Sequence, residues 1–224
     1  MSLSEITEAG APSEQDELRE ANHRIANSLA LVSALVRMQA SDLTRKDRPL
    51  TPQEAGSALQ EAASRIESVA RLHRLLSRES GRNELSAGLY LGEICTGITG
   101  SMSRETAIVY RDESGAARLA PERLNALGLF LTEALTNALK HAHPANAPGR
   151  VDVTFRREGH DLQLQIADDG VGFPEGFVAA TDGGLGFRIM RTLSRQMAAD
   201  LSYPERDFGV CIRLDLPVAV MLRR

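Results

Sequence analysis

The sequence contains no tryptophan, and its three tyrosines and six phenylalanines make an aromatic share of only 4%. So few rings disfavour a base-stacking platform or an aromatic cage. The only cysteines, Cys95 and Cys211, are far apart and have no CxxC spacing, which argues against a disulfide framework or a zinc site and fits a reducing compartment. Positive charge is not in excess: 26 basic against 30 acidic residues leave a formal net charge of −4. The chain thus lacks the electrostatic footprint of a phosphate-backbone binder, and no nucleic acid is expected as a partner. Nor does any apolar run reach membrane-spanning length, and the start, MSLSEITEAGAPSEQDE, is acidic where a signal peptide needs basic and then apolar residues. The expectation is a cytoplasmic protein without membrane insertion.

What is present is a globular composition, 42% hydrophobic and 25% charged over 224 residues, enough for one large or two modest domains. Residues 1–14 read as a flexible arm, polar and without apolar periodicity. From Asp16 to about Ala40 strong helix formers run without Gly or Pro, and Leu18, Ile25, Leu29, Val32 and Val36 fall in one arc at 3.6 residues per turn. A proline-punctuated turn follows, and Thr51, Pro52 and Glu54 mark the start of a second helix running to about Arg78. Its face of Leu59, Ala62, Ala63, Ile66, Val69, Ala70 and His73 predicts pairing with the first helix as a hairpin over 15–80. Leu31, Leu35, Leu72 and Leu76 lie off the main stripes and predict a second buried face, such as a homodimeric four-helix bundle supplies.

Beyond Gly81 helical and strand patterns alternate. Helices are expected over about 86–101, from Pro121 to His141 and over 185–199. Strands are expected over 106–110, 117–119, 151–155, 162–166, 200–204 and 209–216, with Gly159-His160 at a hairpin turn. The fold class is therefore α+β: a helical hairpin followed by a two-layer α/β sandwich over 84–217, with a tail at 218–224.

Three segments of the second region carry chemistry. In Ile166-Ala-Asp168-Asp-Gly170-Val-Gly172 a strand delivers a carboxylate into a Gly-x-Gly turn, where backbone can approach a ligand that hydrogen-bonds to the acid. Taken alone, the same pattern serves ordinary turns and calcium loops. Asp182-Gly183-Gly184-Leu185-Gly186 precedes a helix, bringing free N–H groups and flexible glycines to a helix N-terminus suited to phosphate oxygens. In the helix ending at His141, i, i+3 and i+4 spacing puts Glu133, Asn137 and Lys140 or His141 near one face. Oxygens of Asn and Glu can hold a magnesium and its waters, and Lys can meet a phosphate.

In this order the three segments resemble the N, G1 and G2 boxes of the histidine kinase, gyrase, Hsp90 and MutL ATPase superfamily. The resemblance covers about residues 84–217 and implies ATP and Mg²⁺ as cofactors. It assigns Asp168 to the adenine amino group, Gly170 and Gly172 to the shape of that pocket, and Asn137 to magnesium. Glu133 is implied to order the metal's water shell, Lys140 and His141 to face the phosphates, and Gly184, Leu185 and Gly186 to form the hinge of the lid. The short span between Gly172 and Gly183 predicts a small lid, with Phe173 and Phe177 packing it down.

The hairpin narrows the resemblance. Leu18-Arg-Glu20-Ala-Asn-His23-Arg24-Ile-Ala-Asn27 is similar to the phosphoacceptor motif of the second dimerisation and phosphoacceptor class of bacterial histidine kinases, and Arg65-Ile66 through Leu72-His73-Arg74 to its second helix. With Ile25 at the centre of the buried stripe, His23 and Asn27 point outward on opposite sides, with Glu20 one turn before His23. A neutral imidazole is nucleophilic near pH 7, and Glu20 can orient it or take its proton. The resemblance implies a histidine kinase that autophosphorylates His23 and passes the phosphoryl group to an aspartate of a response regulator receiver domain. It also implies a homodimer formed through the hairpin. With no sensory segment in the first 15 residues, a signal is expected to arrive through a sensory partner in trans, the dimer interface or the nucleotide itself. The position after His23 is Arg24, not an acid, and the missing tryptophan disfavours the HWE subclass. Two other readings use the same fold: a phosphotransfer protein or response-regulator phosphatase in which Asn27 positions water, and an anti-sigma-type serine kinase. His143, with His141, has no partners at metal spacing and reads as structural or phosphate-side.

Overall fold

The computed structural model describes residues 14–45, 48–78, 84–102, 106–143, 147–179 and 181–218, without the side chains of 14–24, 76–78 and 100–102. All of the expected arm but Glu14, which opens the first helix, and all of the expected tail but Val218 lie outside them, as do the side chains of Glu20, His23 and Leu76.

Two long helices open the chain, α1 (Glu14–Thr44) and α2 (Pro52–Arg78). The start of α2 is a reciprocal capping box. The Thr51 hydroxyl accepts from the Glu54 N–H at 3.2 Å while the Glu54 carboxylate accepts from the Thr51 N–H at 2.9 Å, with Pro52 at the first helical position. After it come β1 (Leu85–Ser86), α3 (Ala87–Met102), β2 (Thr106–Glu113), β3 (Arg118–Leu119) and α4 (Pro121–His141). The chain continues through β4 (Gly149–Glu158), β5 (Asp161–Asp168), α5 (Leu185–Gln196), β6 (Asp200–Ser202) and β7 (Cys211–Leu216). The elements fall where the pattern predicts, with β2, β4 and β5 longer than the apolar runs, β6, β7 and α5 shorter than expected, and the two-residue β1 added as the partner of the expected β3. Tight turns explain the extension: Gly159, at φ 61°, lets the β4–β5 ladder run to Glu158 opposite Asp161.

The main sheet has the order β2-β4-β5-β7-β6, with β2 and β4 parallel and the other pairs antiparallel. Val153, Phe155, Leu164, Ile166, Ile212 and Leu214 are buried on the face that α3, α4 and α5 cover. The opposite face is polar, and its side chains pair across strands, Arg111 with Asp152 as an ion pair and Gln163 with Asp215 as a hydrogen bond. This is the expected two-layer sandwich. Helix α4 is buried on nearly every side because it is covered twice, by the sheet and by the hairpin.

The hairpin packs differently from the expected stripe. Ser28, Val32, Leu35 and Gln39 of α1, with Arg65, Ser68, Val69, Leu72 and Leu75 of α2, are the buried positions, and they join the same core as α3 and α4. Ile25, Leu29 and Val36, with Leu59 and Ile66 of α2, stand at the surface, the last two 73% and 54% exposed. Leu35 and Leu72, expected on the second face, are thus buried together with Val32 and Val69 of the main stripes against the α/β domain, while Ile25, Leu29, Val36, Leu59 and Ile66 of those stripes are left outward.

Candidate functional site

A cavity of about 510 Å³ opens between the C-terminal half of α4, the end of β5 and the start of α5. Ala134, Ala138, Ile166, Val171, Val210 and Ile212 give it apolar walls, and Asp168 is the carboxylate in its lining. Asp168 is buried, and its Oδ1 accepts two backbone hydrogen bonds, from Gly170 N–H at 3.0 Å and Val210 N–H at 3.1 Å. Those bonds fix the carboxylate and leave Oδ2 to accept from a ligand. An apolar slot with one oriented acceptor fits a purine bearing an exocyclic amino group.

The turn glycines explain how this is held. A Cβ at Gly170 would strike the Ala142 carbonyl oxygen, which accepts from Val171 N–H at 2.9 Å, so the turn after β5 is pressed onto the end of α4. Gly172 has φ 75°, a left-handed conformation that costs glycine little. Sequence reasoning missed Gly209: at φ 66°, with no room for a Cβ beside the Asp168 carbonyl, it lets β7 close on the acid. The Arg206 guanidinium also donates to the Asp168 carbonyl oxygen, at 3.1 Å. The role of Gly209 depends on a contact between strands distant in sequence.

Along α4, Asn137 lines the cavity with its Nδ2 buried and unpartnered among the described residues. Gly186 brings the first turn of α5 close, since a Cβ there would lie 2.9 Å from the Asn137 amide. Gly184 caps α5 with room to spare, while Gly183 admits the Phe187 ring. Phe173 stacks on Phe177 with ring centroids 4.9 Å apart, and both touch Phe187, so the segment after Gly172 is folded over an aromatic cluster. His141 borders the cavity; partial burial first, and the neighbouring Lys140 charge second, hold its pKa below the ordinary histidine value. His143 donates to or accepts from Asp169 Oδ1 at 2.7 Å, depending on its tautomer, and no cluster of three metal-ligating side chains occurs among the described residues.

Glu133 and Lys140 do not face the cavity. Glu133 is buried against α2, where the Arg65 guanidinium donates to both its oxygens, at 2.5 and 3.1 Å. Burial pushes the Glu133 carboxyl up, and Arg65 pulls it partly back. Lys140 donates to Ser57 at 2.5 Å and to Glu61, so both charged groups of this helix face are held by the hairpin. Their i, i+3 and i+4 spacing was legible, but their partners were not. Arg65 itself was noticed only as part of a motif.

A second hollow, of about 320 Å³, lies between hairpin and domain, lined by Asp42, Leu43, Glu54, Ser57, Glu61, Lys140 and Leu185, and it shares Asn137 and His141 with the purine-sized cavity. Position 23 is far from both. Twenty residues of straight α1 separate it from Leu43, about 30 Å at 1.5 Å per residue. By helical phase it stands roughly 150° from the buried face of α1. Asn27 is exposed and borders a small hollow beside Pro121 and Asn125, at the opposite end of α4 from Asn137.

A purine triphosphate fits the donor set: Asp168 for the base, Asn137 and His141 at the exit, and α5's N-terminus beyond. Magnesium fits the Asn137 amide oxygen together with phosphate oxygens and water. In this arrangement Glu133 is occupied by Arg65.

Comparisons with known proteins cover both regions. Residues 20–102 match a family model described as histidine kinase, and residues 104–216 one described as histidine kinase-like ATPase domain. Blue-light-activated histidine kinase 2 of Erythrobacter litoralis is 28% identical over 208 residues, 91% of this chain and 57% of that protein. The sensor histidine kinase PdtaS of Mycobacterium tuberculosis is 31% identical over 204 residues, 90% of this chain and 39% of that protein. The chain thus spans about half the length of these relatives. An anti-sigma F factor of Bacillus subtilis is 30% identical over 110 residues, 44% of this chain and 73% of that protein. Among solved structures, the Erythrobacter litoralis EL346 blue-light activated histidine kinase superposes with a TM-score of 0.69 at 27% identity, covering 93% of this chain and 61% of that one.

Proposed function

The chain belongs to the histidine kinase family, with its sensor-kinase relatives and its ATPase domain, and on that premise we propose that it is an ATP-dependent protein-histidine kinase acting on His23. The observation that carries this is Asp168: a buried carboxylate with one oxygen pinned by two N–H groups and the other left to an apolar cavity of purine size. An imidazole nitrogen of His23 attacks the γ-phosphorus, a nitrogen–phosphorus bond forms, the bond to the β,γ-bridging oxygen breaks, and ADP leaves. Glu20, one turn before His23, takes or orients the ring proton. Asn137 would hold magnesium, which offsets charge on the phosphoryl group. The phosphoryl group then passes to an aspartate of a response regulator receiver domain.

The outward apolar set Ile25, Leu29, Val36, Leu59 and Ile66 supports a homodimer through the hairpin. The separation of about 30 Å between position 23 and the hollow at Leu43 means that phosphorylation requires the domain to leave its docked position or to reach the other subunit.

Incubation with γ-labelled ATP and magnesium tests the reaction. The expected product carries acid-labile, base-stable label that His23→Ala abolishes. Label surviving that substitution would reject His23 as the acceptor.

One observation favours a second activity in the docked arrangement. Asn27 is exposed while position 23 is withdrawn from the nucleotide cavity, a state suited to hydrolysing phosphoaspartate on a receiver. Loss of receiver dephosphorylation in Asn27→Ala, with autophosphorylation retained, is the expected result. The anti-sigma likeness spans under half of the chain, too little to include both matched regions.

A further inference from the structure

We propose that the docked hairpin and the polyphosphate of the nucleotide compete for the same charges of α4, so that the α2 segment Ser57–Arg65 is a lock on the ATP site; this rests on the ATP-binding reading above. Two independent features carry it.

The first is a continuous polar network. Glu133 accepts from Arg65, and Arg65 donates to Gln39 Oε1 at 2.5 Å. The Gln39 amide donates to Glu61 Oε2 at 2.7 Å, and Glu61 and Ser57 hold Lys140. Both charged side chains that α4 would offer to a phosphate or to a metal's water shell are thereby satisfied by the hairpin, and Arg65 is fully buried in doing so. A third tie, Arg188 to Asp42 at 2.7 Å, fastens the first turn of α5 to the end of α1.

The second is the lining of the hollow between them. A triphosphate leaving the purine cavity past Asn137 and His141 emerges where the hairpin presents Asp42, Glu54 and Glu61. Arg188, Arg48 and Lys140 already compensate those three carboxylates, so a polyphosphate that draws any of these cations to itself leaves a hairpin carboxylate unpaired beside it, while the base and ribose in the first cavity meet none of them. Docking is thus penalised by phosphate charge and indifferent to adenosine.

Linkage makes the competition reciprocal: whatever factor docking takes from polyphosphate affinity, polyphosphate takes from docking. Release of the hairpin frees Glu133 and Lys140 together, and the same motion is needed to carry His23 toward the nucleotide. The lock therefore joins nucleotide occupancy to the mobility of the acceptor.

The test titrates adenosine and Mg-ATP into the wild-type chain and Glu61→Gln, and follows amide hydrogen exchange over residues 53–75 with and without Mg-ATP. We expect Mg-ATP to bind Glu61→Gln about fivefold more tightly than wild type. Adenosine affinity should be equal in both, and exchange along α2 should rise when wild type binds Mg-ATP. Equal or weaker Mg-ATP binding by Glu61→Gln, or α2 exchange that falls on binding, overturns the lock while leaving the ATP site standing. Absence of binding by either ligand to either protein overturns the ATP-site reading and the lock with it. A gain shared equally by adenosine marks a general loosening and also rejects the competition.

Discussion

Arg65 on α2 donates to both oxygens of Glu133 on α4, at 2.5 and 3.1 Å, and the two residues are 0% and 4% exposed. A pair so enclosed need not stabilise the fold compared with an apolar pair of the same volume, but breaking it on one side strands a charge. Arg65→Met should therefore destabilise the chain by about 3–5 kcal/mol, with the Glu133 carboxyl driven further up. Arg65→Met combined with Glu133→Leu should recover most of that loss. Urea unfolding of the two variants and wild type measures it; a double variant no more stable than the single one would show that the pair supplies more than mutual charge compensation.

Asp168→Asn separates shape from hydrogen-bond polarity in the cavity. The asparagine oxygen can still accept from Gly170 and Val210, so the turn should stay folded, but an NH₂ now stands where the free carboxylate oxygen stood. On the proposed reading this NH₂ meets the adenine amino group donor to donor. ATP affinity should drop about ten- to a hundredfold, the cost of roughly 1–3 kcal/mol for an unmatched buried polar group. The 6-oxo group of GTP accepts hydrogen bonds, so GTP affinity should hold or rise. Fluorescence titration of both nucleotides checks the ratio, and an equal loss for both would show that Asp168 does not read the base.

The elements were legible because their signals are local. Thr51, Pro52 and Glu54 announce the start of α2, Pro121 that of α4, and Gly159 the β4–β5 turn, each through backbone chemistry within a few residues. Asp168, Gly170 and Gly172 were legible as a constellation for the same reason. What the sequence concealed is the choice between two apolar faces of one amphipathic hairpin. Periodicity shows that Leu35, or Ile25 and Leu29, can be buried, with Val32 between the two faces, yet only the tertiary partner decides which. Arg65 was hidden for a related reason, since its partner Glu133 lies 68 residues away.

Acid should weaken the fold before its carboxylates titrate. Burial lowers the pKa of His73, and burial together with Lys140 lowers that of His141, so each resists protonation in the folded chain. The unfolded chain takes those protons from about pH 6.5 downward. Stability should therefore fall as pH drops below that value and level off once the folded-state pKa values are passed. Glu133 acts in the opposite sense, because its raised pKa favours proton uptake by the folded form. Comparison with His73→Gln isolates the histidine contribution: its urea midpoint should change less than the wild-type one between pH 7.5 and 5.5. Identical pH slopes would assign the acid sensitivity elsewhere.

The outward stripe gives a test of assembly that does not depend on catalysis. Leu59 and Ile66 are 73% and 54% exposed in a single chain, so Leu59→Asp with Ile66→Asp should cost an isolated chain little, within about 0.5 kcal/mol per site. In a hairpin-mediated dimer the same side chains become buried, and each aspartate forfeits about 1.5–3 kcal/mol of apolar burial per subunit besides burying a charge. The double variant should therefore keep the wild-type unfolding midpoint measured at low protein concentration but run as a monomer in light scattering at concentrations where wild type is dimeric. A wild-type chain that stays monomeric at tens of micromolar would reject the hairpin dimer, and a variant that still dimerises would place the self-association face elsewhere. The alternative would leave His23 to be phosphorylated within one subunit, by an ATPase domain that must swing about 30 Å along α1.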